Sequence, residues 1–324
     1  RVILIATGAT PFKPAIPGAE LGITSNEAFQ LEKLPGRILI AGGGYVAVEF
    51  AGIFNGLGVN TVVAYRGTQI LRGFDQDLRD GLAEEMRHRG VEIRVNADIA
   101  SLSRKGKAIE AQLTDGTAVE TDAVMLATGR APNTAGLGLE RAGIAQGPKG
   151  RVVVDGLSRT SGGNIYAVGD VTDRINLTPV AIREGQAFAD SVFGGAPEQV
   201  DHKNVPTAVF STPEVGTVGL PEEMARKTYG EVDVYKSRFR PMRHTLSGRQ
   251  ERMLMKLVVE RSGGRVVGCH ILGPDAAEIV QVAAIAIRLG AKKRDFDQTM
   301  ALHPSAAEEL VTMREKWQPP KAAE

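Results

Sequence analysis

Apolar residues run unbroken through Ile38-Leu-Ile-Ala41, stop at Gly42-Gly43-Gly44, and resume in a helix-like segment from Tyr45. A second apolar run, Thr61-Val-Val-Ala64, follows. Strand, glycine turn, helix and strand in that order predict a βαβ unit with parallel strands. Downstream, Asp77–Arg89 has an amphipathic helical pattern that ends near Gly90, and Val91-Glu-Ile-Arg-Val95 alternates as a strand. Residues 107–126 read as further strands around a Thr114-Asp115-Gly116 hairpin turn.

The chain opens on Arg1-Val-Ile-Leu-Ile-Ala-Thr7-Gly8, an apolar strand of the kind expected inside an α/β domain with both faces buried. Its abrupt start predicts that an N-terminal portion is missing. Ala123-Val-Met-Leu-Ala-Thr128-Gly129-Arg130 echoes it, so the two strands are expected to mark the chain's exit from one nucleotide domain and its return. The block between them is then an inserted domain, entered through the proline-dense crossover Pro11–Gly18. Asn164–Asp170 reads as a strand ending in Gly-Asp, and Pro179 suits the first turn of a helix. From about Asn204 the order changes to an α+β domain. Strands Met253–Glu260 and Val266–Ile271 pair around Gly263-Gly264, and helices are expected at about 275–289 and 305–316. A mobile tail is expected over 319–324.

Composition alters this picture little. In 324 residues, 43% hydrophobic and 24% charged, 39 basic and 38 acidic side chains leave a net charge of +1. Nothing there calls for nucleic acid or an acidic membrane as partner, and no apolar run reaches the roughly 18 residues of a membrane-spanning helix. The single cysteine, Cys269, cannot form an intramolecular disulfide, which points to a reducing compartment, the cytoplasm.

The chemistry sits at the glycine turn. In Gly42-x-Gly44-x-x-Ala47, Gly42 permits the tight turn, Gly44 lets backbone approach a pyrophosphate, and Ala47 allows close helix–strand packing. The helix N-terminus adds unpaired N–H groups and a positive dipole end. Sites that select NAD place an Asp or Glu about 20 residues past the glycines for the ribose 2′-hydroxyl. This chain has Tyr65-Arg66 there, with Arg72 beyond. Two guanidiniums suit a 2′-phosphate, so the expected ligand is NADPH rather than NADH. The plain alternative is a glycine turn with solvated surface arginines.

Bland readings stand beside the other candidates. Ser305-Ala-Ala-Glu308 is also a capping box, Asp170 also a turn aspartate, and Tyr45 also a packing residue. Cys269 reads as a small buried hydrophobe and His244 and His270 as structural residues, while His88 and His202 are expected on the surface. No metal site is expected.

Six blocks in order, GGGYVAVEFAG (42–52), YRGTQILRGFD (65–75), ATGRAPNTAGLGL (127–139), YAVGDVTDRINLTPVAI (166–182), VPTAVFSTPEVGTVGL (205–220) and LHPSAAEELVT (302–312), resemble the flavoprotein disulfide reductases, and within them the glutathione reductase group most closely. The resemblance covers essentially the whole chain. It implies an α/β fold with Rossmann-like FAD- and NAD(P)-binding domains and a C-terminal α+β dimerisation domain. The boundaries expected are 1–9 with 131–203 for a partial FAD domain, 10–130 for the NADPH domain and 204–324 for the dimer interface. The cofactors implied are FAD and NADPH, and the partners are glutathione disulfide or a related small disulfide and a second copy of the chain. Asp170 then resembles the residue that bonds the flavin's ribityl chain, with Thr178 near the flavin. Tyr45 resembles an aromatic gate over the flavin, and Glu49 a carboxylate near the nicotinamide. Val46, Gly129 and Arg130 join the cofactor-binding positions. His303 resembles the catalytic acid/base, oriented by Glu308 and acting in the other subunit's site. A histidine suits that task because its pKa lies near working pH.

Two family features are not in these residues, an FAD-binding Gly-x-Gly-x-x-Gly and a redox-active Cys-x4-Cys. Thiol–disulfide exchange needs an attacking thiolate and a partner sulfur, so no disulfide reductase activity is expected from this chain alone. Gln186 stands where an arginine is frequent, which leaves a trypanothione or other low-molecular-weight disulfide reductase open as an alternative. Dihydrolipoamide dehydrogenase is disfavoured by Arg66 and Arg72. A nucleotide-binding and dimerisation module without redox chemistry is a third reading.

Overall fold

The computed structural model describes residues 1–318, and the tail expected to be mobile lies outside them. The described chain packs as two compact units, one of Arg1–Pro14 with Thr128–Lys203 and one of Ala15–Ala127 with the chain from Asn204 onward.

In the second unit, Arg37–Ala41 pairs in parallel with Asn60–Tyr65 on one side and Ala123–Leu126 on the other, and Glu92–Val95 adds the edge. The two-residue period of a strand sends alternate side chains to opposite faces. Ile38 and Ile40 meet Ala47, Val48, Ala51 and Phe54 of the helix Tyr45–Gly56 and Leu78, Leu82 and Met86 of the helix Gln76–His88. Leu39 and Ala41 face the other way, toward a three-stranded antiparallel sheet (Ile99–Lys105, Ala108–Leu113, Ala118–Thr121) that contributes Ile99, Leu102, Ile109 and Leu113. A strand buried on both faces explains why 37–41 reads as a continuous apolar run rather than an alternation.

The chain from Asn204 builds a five-stranded antiparallel sheet, ordered Thr207–Val209, Val215–Gly219, Val266–Leu272, Met253–Glu260, Val232–Phe239. The helix Ala276–Arg288 packs on one face through Val280, Ala283, Ala284 and Ile287. Val209, Val215, Leu254 and Leu272 join the core of the glycine-turn helices. The helix expected over 305–316 is shorter, a 3-10 turn Ala306–Glu308 followed by Glu309–Thr312. The three- and four-residue spacing of Ala306, Leu310 and Met313 mimics a longer helix, but Met313 is already extended. A helix at Lys293–Gln298 has no counterpart in the pattern, being mostly polar with Phe296 its buried apolar anchor.

In the first unit, Ile3–Ile5 pairs in parallel with Ile165–Ala167, and Ala9–Pro11 antiparallel with Arg130–Pro132. Ile5 packs with Leu139, Ile144, Val152, Ala167 and Val171. Full burial was the wrong expectation for the opening strand. Ile3 and Leu4 are exposed, and of this strand only Ile5 is buried. The helix Thr178–Val192 begins with Pro179 in its first turn, as its fixed φ favours.

Candidate functional site

The glycine turn divides its labour by conformation. Gly42 has φ 137°, and a Cβ there would stand 2.3 Å from the Ala127 carbonyl oxygen, so only glycine fits. Gly43 lies under the Tyr65 ring, where a Cβ would come within 2.5 Å. Gly44 is the N-cap of the helix Tyr45–Gly56, and a Cβ there would meet nothing within 4 Å. The backbone therefore presents open space at a helix N-terminus with no acid in its first turn, a cradle that fits a dianionic pyrophosphate. Ala47 is fully buried against the turn. Tyr45 and Val46 start the helix, Tyr45 partly exposed.

Arg66 and Arg72 follow on the segment that leaves the second strand. Leu71 N–H donates to the Gly43 carbonyl at 2.6 Å, which ties that segment back onto the glycine turn. Both arginines are exposed, and among the described residues neither has a hydrogen-bond or ion-pair partner. Two unpaired guanidiniums beside a phosphate cradle fit a second, dianionic phosphate.

Glu49 lies one turn into the same helix, partly buried. Burial pushes its carboxyl above the usual glutamate range, and the Phe210 N–H, donating at 2.8 Å, opposes that rise.

His303 and Glu308 come together. His303 Nδ1 is 3.2 Å and 3.1 Å from the two Glu308 carboxylate oxygens, and the histidine side chain is largely exposed. The capping-box alternative does not form, since the Ser305 side chain makes no cap bond. Glu308 acts on the histidine rather than on the helix N-terminus. A carboxylate on Nδ1 fixes the tautomer and leaves Nε2 to exchange a proton outward.

In the first unit, Asp170 sits in a 3-10 turn, Gly169–Thr172, directly after the strand Ile165–Ala167, and its carboxylate has no partner among the described residues. Thr178 opens the following helix and is exposed. Arg130 opens the strand Arg130–Pro132 and Gly129 precedes it; the Arg130 guanidinium donates to the Ala9 carbonyl. Asn176 donates its amide to Asp173 at 3.0 Å, which turns Oδ1 away, buried and unsatisfied among the described residues. Asp173 only accepts, so the amide cannot be flipped. An unpaired carboxylate and an orphaned acceptor fit a polyhydroxylated, N–H-bearing group such as a flavin. Gln186 is exposed and donates to Asp190 at 2.9 Å.

One side chain had no local signal. Glu184, 1% exposed, accepts from Gly169 N–H at 2.7 Å and pairs with Arg174 and with His202 at 2.7 Å. His202 was expected on the surface and is instead tied to this buried carboxylate. Its ring joins Arg174 and the Gly169 N–H around the buried acid, so each oxygen of Glu184 has a partner. Cys269 is fully buried, as expected, and burial pushes its thiol up to about 12.

These features define a class, a Rossmann-type FAD/NAD(P)-binding region followed by an α+β dimerisation domain. Residues 1–185 match the pyridine nucleotide-disulphide oxidoreductase model and residues 205–314 match the dimerisation domain of that family. The chain belongs to the pyridine nucleotide-disulphide oxidoreductase family, whose architecture implies capacity for FAD and NAD(P)H. It is 55% identical over 316 residues to the glutathione reductase of Burkholderia cepacia, covering 98% of this chain and 70% of that one. It is 46% identical over 318 residues to the trypanothione reductase of Leishmania donovani, covering 96% and 65%. The HOCl-induced flavoprotein disulfide reductase RclA of Escherichia coli superposes with a TM-score of 0.90 at 30% identity, over 96% of this chain and 72% of that one. Among the described residues no helix is long and apolar enough to cross a membrane.

Proposed function

We propose that these residues bind NADPH, hold part of a flavin site and carry the acid/base pair of a reductase for glutathione disulfide. The reading divides the chain into an NADPH domain over 10–130, a flavin domain over 1–9 and 131–203, and a dimer-forming domain from 204 onward. The observation that carries it is the pair of unpartnered arginines beside an open glycine cradle. When bound, the nicotinamide supplies a hydride and the flavin accepts it. The chain's own residues do the rest. The turn at Gly42–Gly44 takes the pyrophosphate, and Arg66 and Arg72 take the 2′-phosphate. His303, held by Glu308, gives a proton to the thiolate leaving the disulfide, which departs as the thiol. The cysteine pair for that exchange is not among the 324 residues, so the chain by itself turns over no disulfide. Val282, Ile285 and Leu289, apolar and exposed on and just beyond the C-terminal domain's long helix, support a homodimer. A single buried thiol suits the reducing cytoplasm.

The test replaces Arg66 and Arg72 together by alanine and measures affinity for both nicotinamide cofactors. Losing charge-assisted bonds of ~1.5–3 kcal/mol each, partly compensated, costs on the order of 2–4 kcal/mol for NADPH and leaves NADH unchanged. Equal losses would remove the 2′-phosphate reading. Kinetics with a form that carries a cysteine pair then compare glutathione disulfide with trypanothione disulfide. The Leishmania relative makes trypanothione the second reading, and Gln186 is neutral between them.

A further inference from the structure

Lys256 is a charged side chain with 1% exposure, and its surroundings come from three separate stretches of sequence. Its ammonium lies 2.9 Å from Asp75 Oδ1, 2.6 Å from Asp77 Oδ2 and 2.7 Å from Glu222 Oε2. Lys236 adds a second contact to Asp77 at 3.0 Å, and Arg226 one to Glu222 at 2.7 Å, so three cations face three carboxylates. Burial alone would lower the Lys256 pKa, but the field of Asp75 and bonds to Asp77 and Glu222 outweigh it and hold the ammonium charged.

Asp75 is the hub. Its Oδ1 accepts the Asp77 N–H at 3.1 Å and so caps the helix Gln76–His88. Its Oδ2 accepts the Glu222 N–H at 2.9 Å, at the start of the helix Glu222–Tyr229. One buried carboxylate thus caps two helices and receives a buried lysine from the strand Met253–Glu260. His270 Nε2, which donates to the Leu220 carbonyl, lies 4.0 Å from Asp75.

A buried ion cluster is a poor source of stability, because well-packed apolar side chains do as well or better. What it supplies is direction. Charge-assisted hydrogen bonds hold a carboxylate within narrow limits, whereas apolar contact lets surfaces slide. Asp75 is three residues past Arg72, and the segment between Tyr65 and Asp75 is fastened elsewhere by Leu71 N–H on Gly43 and by Arg79 on the carbonyls of Gln69 and Ile70. Asp75 is the anchor on the far side of Arg72 from these, so a shift there moves the Arg72 end of the segment first.

We propose that Lys256 is a positioning residue for cofactor selection: through Asp75 it sets where the Arg66–Arg72 segment stands over the glycine turn. The C-terminal domain then takes part in discriminating the 2′-phosphate. This rests on the reading of Arg66 and Arg72 as the 2′-phosphate grip.

The experiment measures dissociation constants of NADPH and NADH by calorimetry for the 324-residue chain and for Lys256→Met, with melting temperatures alongside. A misplaced contact weakens NADPH by about tenfold or more, and NADH by less than about twofold. Equal loss of both cofactors, or a lower melting temperature with the affinity ratio intact, would overturn the proposal and leave Lys256 a purely structural residue. Parental protein without NADPH preference would sink the arginine reading itself, a separate result. If Lys256→Met does not fold, the neutral pair Asp75→Asn/Lys256→Met leaves no uncompensated buried charge and carries the same measurement. If that pair also fails, Glu222→Gln at the half-exposed rim decides by the same ratio, with a smaller shift in the same direction supporting the proposal and an unchanged ratio overturning it.

Discussion

His303 Nδ1 stands 3.1 Å from Glu308 Oε2, five residues along the chain, and the histidine side chain is three-quarters exposed. A histidine held on one nitrogen and otherwise exposed suits the proton-donor role proposed for it.

That arrangement predicts a split between two half-reactions. In a form of the protein that carries a cysteine pair, His303→Gln is expected to lower disulfide turnover by about 10²-fold or more. NADPH oxidation by an artificial electron acceptor stays unchanged. Glu308→Gln gives a smaller loss with the same selectivity, since it frees the ring without removing it. Parallel losses in both assays would argue for damage to the fold.

The glycine turn predicts opposite behaviour at two neighbouring glycines. Gly42→Ala forces a side chain onto φ 137° and against Ala127, costing at least about 1–3 kcal/mol in unfolding experiments. Gly44→Ala meets no protein atom. Its melting temperature stays close to the parent, while NADPH affinity falls about tenfold or more as the methyl occupies the pyrophosphate cradle. Unimpaired binding by Gly44→Ala would remove the cradle.

Cys269 is inert while the protein is folded. Its thiol, pushed up to about 12 by burial, stays protonated at neutral pH. A thiol reagent at about pH 8 is expected to label none of it natively and all of it in denaturant. The sign follows from a raised pKa. The thiol's contribution to stability is complete below its ordinary value of 9.0 and is lost as pH rises toward 12.

Glu260 gives the opposite pH dependence. Hydrogen bonds from Ser262 Oγ and then Gly263 N–H pull its carboxyl from 4.5 down to about 2. A depressed carboxylate stabilises the folded state above its ordinary pKa and ceases to as pH falls through the folded one. Glu260→Gln is expected to melt a few degrees below the parent at neutral pH, and the two curves to converge between pH 4.5 and 2. A gap that persists at the acid end would show that the carboxylate's charge is not what matters.

The sequence by itself determined the parts that are local. Gly42, Gly44, Ala47 and Arg66 lie in one βαβ unit, where strand and helix periodicity place them before any distant contact forms. The order of elements followed as well, down to the Met253–Glu260 and Val266–Leu272 pair around its glycine turn. Tertiary structure decided where charges ended up. Glu308 could serve its own helix or a histidine, and only the folded loop turned it to His303. Glu184 reads as a surface helix residue, yet it is buried under Gly169, Arg174 and His202. Asp75 and Lys256 are 181 residues apart and each looks like an ordinary surface charge in its own stretch. Their pairing depends on the C-terminal sheet packing against the glycine-turn helices, and no periodicity encodes which lysine a buried aspartate meets. Local pattern reports which face of an element is apolar. The partner of a buried charge is set by long-range packing, where desolvation makes a missing partner too costly to leave.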